Sequence, residues 1–399
     1  PPRSTLFPYT TLFRSQNWKT KILSENWDAP IIYTTSVQLL ETLFSGGTRS
    51  ARRMHQLARS VIVFDEIQTL PIKTTHLFCN AINFLTNHCY SSVVLCTATQ
   101  PLLNKVNEGK GCIRFSEKNE IMPNIETLFI NLKRVEVLNR IKPIGWENQE
   151  IAQLALEQVG ESLSCLIIVN TKKNAHDIYD ELVRLTDLPI FHLSTSMCPV
   201  HRMEKLNEIR IMLEKEVPFV CVSTQLIEAG VDVDFGSVIR FVAGIDSIAQ
   251  ASGRCNRNGK RPSGKVFVVN PKNESIDSLN EIKTGRDVSN RIFNELDNPE
   301  SELPNDLLHP KVMERYFQYY FYNRANEMDY KVDVGRNDTL LNLLSSNSLS
   351  VGEYIRINGK APQMYFQQSF AAACEQFKAI DAPTDRKSTR LNSSHGIIS

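Results

Sequence analysis

The chain has 399 residues and sets 45 lysines and arginines against 44 acids, for a net charge of +1. That length exceeds what one hydrophobic core usually serves, so two or three domains are expected. The balanced charge excludes capture of a polyanion by bulk charge, though a local basic groove would suffice; hydrophobic residues at 42% allow ordinary globular cores.

The opening stretch "RSTLFPYTTLFRS" (3–15) repeats Thr-Leu-Phe and carries no acid. Together with "RKSTRLNSSHGIIS" (386–399) it resembles translated adapter sequence. Residues 1–15 and 386–399 are therefore read as a foreign leader and tail, and the natural protein is expected to be longer at both ends. Apolar runs then predict strands at Pro30–Thr35, Val61–Phe64 and Val93–Thr97, with helices over Val37–Phe44 and Lys73–Asn87. A low-pattern stretch near 105–125 and "IKPIGWENQ" (141–149) suggest a domain boundary. Beyond it, strands are predicted at Cys165–Asn170, Ile190–Ser194, Phe219–Ser223, Val238–Val242 and Lys265–Val269. Helices are predicted at Gln149–Val159, Lys173–Leu185, Val200–Leu213 and Ile248–Arg254. Strands alternating with helices imply parallel sheets covered on both faces, an α/β class. Past Asn270 the pattern weakens, until "HPKVMERYFQYYFYNRANEMDY" (309–330) reads as a helix dense in aromatics. The expected domains are 16–145, 146–270 and a mainly helical extension, 271–385.

No apolar run nears the roughly 18 residues of a membrane span, and no secretory signal is seen. Nine cysteines, at 79, 89, 96, 112, 165, 198, 221, 255 and 374, form no C-x-x-C pair. They read as reduced cysteines of a cytoplasmic protein, neither a disulfide frame nor a zinc site.

Parallel α/β sheets bind ligands at the carboxyl ends of their strands. After Val61–Phe64 stand Asp65 and Glu66. An aspartate there can hold Mg²⁺ against nucleotide phosphates, and the next acid can polarise the attacking water. Alone the pair is weak, because Asp180–Glu181 repeats it within a helical stretch. "TATQP" (97–101) offers small hydroxyls, Thr97 and Thr99, beside those acids, or an ordinary turn. In "STQLIEAGVDVDF" (223–235), Thr224 is placed to reach a phosphate, Gly230 permits close backbone approach, and Asp232 and Asp234 alternate with valines. In "QASGRCNRNGKR" (250–261), Gln250, Arg254 and Arg257 fit Q-x-x-G-R-x-x-R. Arginines three apart share a helix face, and their forks suit phosphate oxygens.

In this order and spacing the strings resemble superfamily 2 nucleic-acid helicases. Asp65–Gln68 is similar to that family's second motif, Thr97–Thr99 to the third, Thr224–Asp232 to the fifth and Gln250–Arg257 to the sixth. With "TTSVQLLETLFSG" (34–46) and "HLSTSMCPVHR" (192–202), the chain resembles the CRISPR-associated helicase-nuclease of type I interference systems over about residues 30–270. The resemblance implies two RecA-like lobes, the first lacking its amino-terminal part, with ATP and Mg²⁺ as cofactors. Asp65 would hold the metal, Glu66 would orient water, and Gln250, Arg254 and Arg257 would complete the catalytic set. Gly230 and Asp232 would lie at the nucleotide, and Thr97 and Thr99 would couple the sites. Thr34, Thr35, Gln38, Asn170, Thr171, Ser194, Thr195 and Thr224 would follow single-stranded DNA. It also implies a cytoplasmic monomer that moves 3′ to 5′, recruited by an RNA-guided surveillance complex, with a nuclease degrading the displaced strand and no membrane partner.

Two family parts are not found. The nearest match to G-x-x-x-x-G-K-[ST], "GKRPSGKV" (259–266), has Val266 in place of the metal-binding hydroxyl and runs into a strand. That loop is expected before Pro30. His176–Asp177 sits in a helical stretch without companion histidines, so no nuclease metal site is assigned. The acid-free run "TRSARRMHQLAR" (48–59) reads equally as a phosphate-contacting rim or a solvated face. The tyrosines near 316–322 read as packing more than base stacking. A general repair or RNA helicase, and a nucleic-acid-binding piece without turnover, remain the alternatives.

Overall fold

The computed structural model describes residues 18–97, 102–115, 117–228 and 230–380. The foreign-looking leader and tail lie outside these. The chain forms two compact units. An amino-terminal unit runs up to Cys96 and takes in Leu103–Arg114 and the chain from Ala325; a central unit holds Thr97–Leu102 and Phe115–Arg324.

The amino-terminal unit begins with α1 (Trp18–Asn26), α2 (Ser36–Phe44) and α3 (Thr48–Met54), then β1 (Val61–Asp65), α4 (Thr75–His88) and β2 (Ser92–Cys96). β1 and β2 pair in parallel, from Val61 opposite Ser92 to Asp65 opposite Cys96. Helix α4 buries Phe78, Ile82 and Leu85, and Phe78 meets Phe64 edge-on at 5.0 Å. The other face of β1 is open, with Val61 71% and Val63 60% exposed. Pro30–Thr35, expected as a strand, is bend and coil. Among the described residues its backbone has no strand alongside, Ile31 and Tyr33 face solvent, and Thr35 is drawn off as the cap of α2, accepting from Gln38 N at 3.1 Å.

In the central unit follow α5 (Ile125–Leu132), β3 (Val135–Asn139), α6 (Asn148–Ser162), β4 (Ser164–Val169), α7 (Lys172–Leu185), β5 (Ile190–Leu193), α8 (Pro199–Glu214), β6 (Phe219–Thr224), β7 (Ser237–Phe241), α9 (Ile245–Ser252), β8 (Gly264–Val269), α10 (Asn280–Leu296) and α11 (Pro310–Asn323). Its six strands run in the order β3-β8-β7-β4-β6-β5, and every pairing is parallel. A strand buried on both faces reads as an unbroken apolar run, and β4, β6 and β7 are buried throughout. The pleat divides them: Leu166 and Ile168 join one core cluster, Cys165, Ile167 and Val169 the other. α10 and α11 add a third cluster around Tyr316 and Phe317. The aromatic run of α11 is thus core at those positions, while Tyr322 remains exposed.

Two expected boundaries move. β3 was not foreseen, because its apolar residues alternate with Glu136 and Asn139, yet it pairs with β8 at the sheet edge and carries the central unit back across the boundary proposed at 145. The extension 271–385 also divides, since the chain from Ala325 belongs to the amino-terminal unit. There it forms β9 (Lys331–Asp333), β10 (Asn337–Thr339), α12 (Leu340–Leu344), α13 (Ser348–Asn358) and α14 (Phe370–Gln376). Lys110 Nζ pairs with Asp329 at 2.6 Å, and Phe377 packs on Phe44 at 5.4 Å. Among the described residues, no helix is long and apolar enough to cross a membrane.

Ile167 is fully buried between sheet and helices. Ile167→Ala is therefore expected to cost about 2–5 kcal/mol of stability. Val61→Ala, at an exposed site, is expected to change it by under about 0.5 kcal/mol. Urea unfolding of the two variants checks the contrast.

Candidate nucleotide and nucleic-acid site

Asp65 ends β1 and is exposed; β2 ends beside it at Cys96. Glu66 adopts the left-handed conformation, with φ 55°. For a residue with a Cβ this costs about 1 kcal/mol. The kink turns the chain from strand into a single 3₁₀ turn, in which Thr69 N and Oγ1 both donate to the Glu66 carbonyl, at 3.0 and 2.8 Å. Gln68 Nε2 donates to the Glu66 carboxylate. Left-handed non-glycine residues are enriched at functional sites, although Glu66 shares this conformation with eight other described residues. Thr97 follows β2 and is half-buried. Thr99 lies outside the described residues.

Thr34, Thr35 and Gln38 come together at the start of α2, where Thr34 Oγ1 lies 2.8 Å from Gln38 Oε1. The basic run 48–59, read equally as a rim or a solvated face, is divided between buried and exposed arginines. Arg53 is buried, donates from Nε to Glu25 O at 2.7 Å and lies 5.1 Å over the Trp27 ring. Arg52 and Arg59 remain exposed.

In the central unit, Asn170, Thr171, Ser194, Thr195 and Thr224 all fall at the carboxyl edge of the sheet, as sequence order required. Their surroundings differ from one to the next. Thr171 caps α7, accepting from Asn174 N at 3.1 Å. Thr195 is exposed, but Ser194, Thr224 and Asn170 are buried. The Thr224 hydroxyl is a buried group with no hydrogen-bond partner among the described residues. Asn170 donates to Val242 O at 3.0 Å and to Glu274 Oε1 at 3.1 Å, and accepts from Arg240 at 2.6 Å. A side chain so engaged faces the interior of the unit.

The arginines 254 and 257 do not share a helix face. α9 carries Gln250, ends at Ser252 and is capped by Gly253; left-handed Asn256 then closes a turn. Arg254 is buried and donates from Nε to Ile227 O at 2.9 Å and from an η nitrogen to Glu228 O at 2.5 Å. Arg257 points outward and pairs with Asp232 at 3.2 Å. Its backbone N–H and that of Asn258 donate to Asp234, at 2.7 and 3.2 Å, so Asp234 fixes the turn. Gly230 has φ +70° and open space around it.

Sequence reasoning missed Arg240, the penultimate residue of β7 and fully buried. Its Nε lies 2.8 Å from Glu228 Oε1, and its η nitrogens donate to Asn170, to Phe241 O at 2.8 Å and to Ser247 Oγ at 3.0 Å. Burial pushes the carboxyls of Glu228, Glu274 and Asp246 upward, and the neighbouring Arg240 pulls each back. Asp246 also accepts from Tyr316 OH at 2.7 Å. The signal was present in "SVIRFV": a charge inside a continuous apolar strand must be paired. His176 lies on α7, 2.9 Å from Asp180, with an exposed side chain. Among the described residues, no cluster of three or more histidines, cysteines or acids could hold a metal.

The family described as Cas3-like_C_2, the C-terminal part of CRISPR-associated nuclease/helicase Cas3, matches residues 161–260. The chain is 26% identical to a CRISPR-associated nuclease/helicase Cas3 of Haloferax volcanii, over 62% of this chain and 35% of that protein. It is 25% identical to one of Methanothermobacter thermautotrophicus, over 58% and 28%. It thus spans about a third of the curated relatives it matches. Its fold is similar to a CRISPR-associated protein (TM-score 0.57, 17% identity, 91% of this chain and 43% of that one). It is also similar to T. fusca Cas3 with ATP (TM-score 0.56, 17% identity, 75% and 41%).

Arg254→Ala would strip two buried carbonyls of their donor, a loss of about 1–3 kcal/mol. Arg257→Ala removes a solvent-facing pair and is expected to cost under about 1 kcal/mol. Thermal melts of both variants check this order. For Asp246, the raised folded value means that protonation favours folding. Its contribution is full below the ordinary 3.8 and is lost as pH rises through the folded value. Asp246→Asn keeps an acceptor for Tyr316, so the melting temperature of the variant relative to the parent should rise as pH increases above the ordinary 3.8.

Proposed function

We propose that this Cas3-like chain is the motor portion of an ATP-driven translocase on single-stranded DNA, working with a nuclease in the interference step of a type I CRISPR system. The observation that carries the reading is the strand-end pair Asp65–Glu66, with its strained second acid, in a chain whose other unit presents the Q-x-x-G-R-x-x-R string on a turn. Asp65 would hold Mg²⁺ on the nucleotide, and Glu66 would orient water. The metal ion would supply charge neutralisation at the phosphates. Arg257, exposed and held by exposed Asp232 and a long bond to Gly253 O, would be the arginine offered to the γ-phosphate; Arg254 would act by holding the Ile227–Glu228 turn. Gln250, Gly230, Asp232, Thr97 and Thr99 keep the supporting roles expected from their motifs.

Along DNA, Thr171, Thr195, Thr34, Thr35 and Gln38 are the proposed contacts, with Asn170, Ser194 and Thr224 shaping the edge beneath. Movement from 3′ to 5′, recruitment by an RNA-guided surveillance complex and action as a monomer belong to the same proposal. The curated relatives are named nuclease/helicases, which supports the pairing of motor and nuclease.

The 399-residue chain carries no phosphate-cradling loop and is expected to show no ATP hydrolysis above background. DNA-stimulated hydrolysis by this chain, lost in Glu66→Gln, would overturn that expectation. Binding of labelled oligothymidine should weaken with salt as phosphate contacts are lost. Equal or tighter binding of oligouridine would favour the RNA-helicase alternative.

A further inference from the structure

Four polar side chains of the central unit, on different elements, gather at the buried guanidinium of Arg240. Arg240 stands on β7, Asn170 follows β4, Glu228 lies in the loop after β6, Ser247 is on α9, and Glu274, which reaches the cluster through Asn170, follows β8. Ser247 Oγ also donates to Glu228 Oε2 at 2.9 Å, which closes a ring of Arg240, Glu228 and Ser247. Packing alone needs none of this, since β4, β6 and β7 are already buried along their length. A buried ion pair is poor at adding stability, because desolvation offsets most of its attraction. What it supplies is direction: a planar fork is satisfied in one geometry only.

That geometry bears on the loop leaving β6. Glu228 holds the loop from within through its carboxylate, while its carbonyl and that of Ile227 accept from Arg254. Arg254 stands three residues before Arg257, whose backbone is fixed by Asp234 at the far end of the same loop. We propose that the Arg240–Glu228 pair is a positioning element, fixing the 225–235 loop and the Arg254–Arg257 turn to the carboxyl edge of the sheet. Arg240 and Glu228 are both buried; they decide where Arg257 and the strand-end hydroxyls stand. Only the link to DNA rests on the function proposed above.

The test is hydrogen exchange on the 399-residue chain. Removing one charge alone strands the other and can unfold the unit, so the pair is replaced together, as Glu228→Met with Arg240→Met. A mild second variant, Ser247→Ala, removes one bridge and leaves both charges. The expected result is a melting temperature close to the parent's, with amides of 225–235 and 254–258 exchanging about tenfold faster and those of β4 and β6 unchanged. Ser247→Ala should give a smaller shift at the same amides. Unchanged exchange there in Ser247→Ala, or acceleration spread evenly over the sheet in either variant, overturns the proposal. Oligothymidine binding is read in parallel. If the parent chain does not bind, the DNA reading fails while the exchange result still decides the positioning role. If the paired variant, with a loosened loop, binds as tightly as the parent, the loop does not govern the DNA edge.

Discussion

A parallel sheet exposes no face that water tolerates well, so it must be covered on both sides. The central unit is built around that constraint. Its six parallel strands lie between two helical layers, with β3 and β5 at the edges. The candidate site residues at the ends of β4, β5 and β6 stand at the carboxyl edge, where helices and loops diverge. The amino-terminal unit meets the same constraint only in part. Its sheet has two strands among the described residues, and two valines of β1 face solvent. An added strand or layer would be stabilised there, immediately beside Asp65 and Glu66.

The second organising interaction is the guanidinium of Arg240. Desolvation pushes the surrounding carboxyls upward, and the arginine works against that push. Stability is a weak reason for such a cluster. Conformational definition of the 225–235 loop is a better one, because that loop joins the Arg254–Arg257 turn to the strand ends. The division between the two arginines follows from it: one is buried against carbonyls, the other projects with Asp232.

Much of this was legible in sequence. The strands from Cys165 to Val269 were plain because full burial gives unbroken apolar runs, a signal that tertiary context reinforces. β3 was hidden because an edge strand alternates with polar residues. Pro30–Thr35 misled for the opposite reason: apolar and β-branched, it has the composition of a strand, but no neighbour to pair with. The site strings fixed which residues to watch but not where their side chains point. Nothing in the spacing of Arg254 and Arg257 shows that Gly253 ends the helix first, or that Asn170 is drawn inward by an arginine on β7. Those outcomes depend on contacts between elements distant in sequence. Arg240 itself could have been suspected from its charge within an apolar run.

In the proposed function, Asp65 and Glu66 would be the metal and water residues of a motor that also needs a phosphate cradle. The most direct measurement is ATP turnover by a protein in which a strand, a G-x-x-x-x-G-K-[ST] loop and a helix precede Trp18, with and without single-stranded DNA. The account predicts DNA-stimulated hydrolysis that falls about a hundredfold or more in Glu66→Gln, as expected when the residue orienting the attacking water is lost. Hydrolysis that is undiminished by Glu66→Gln would contradict it.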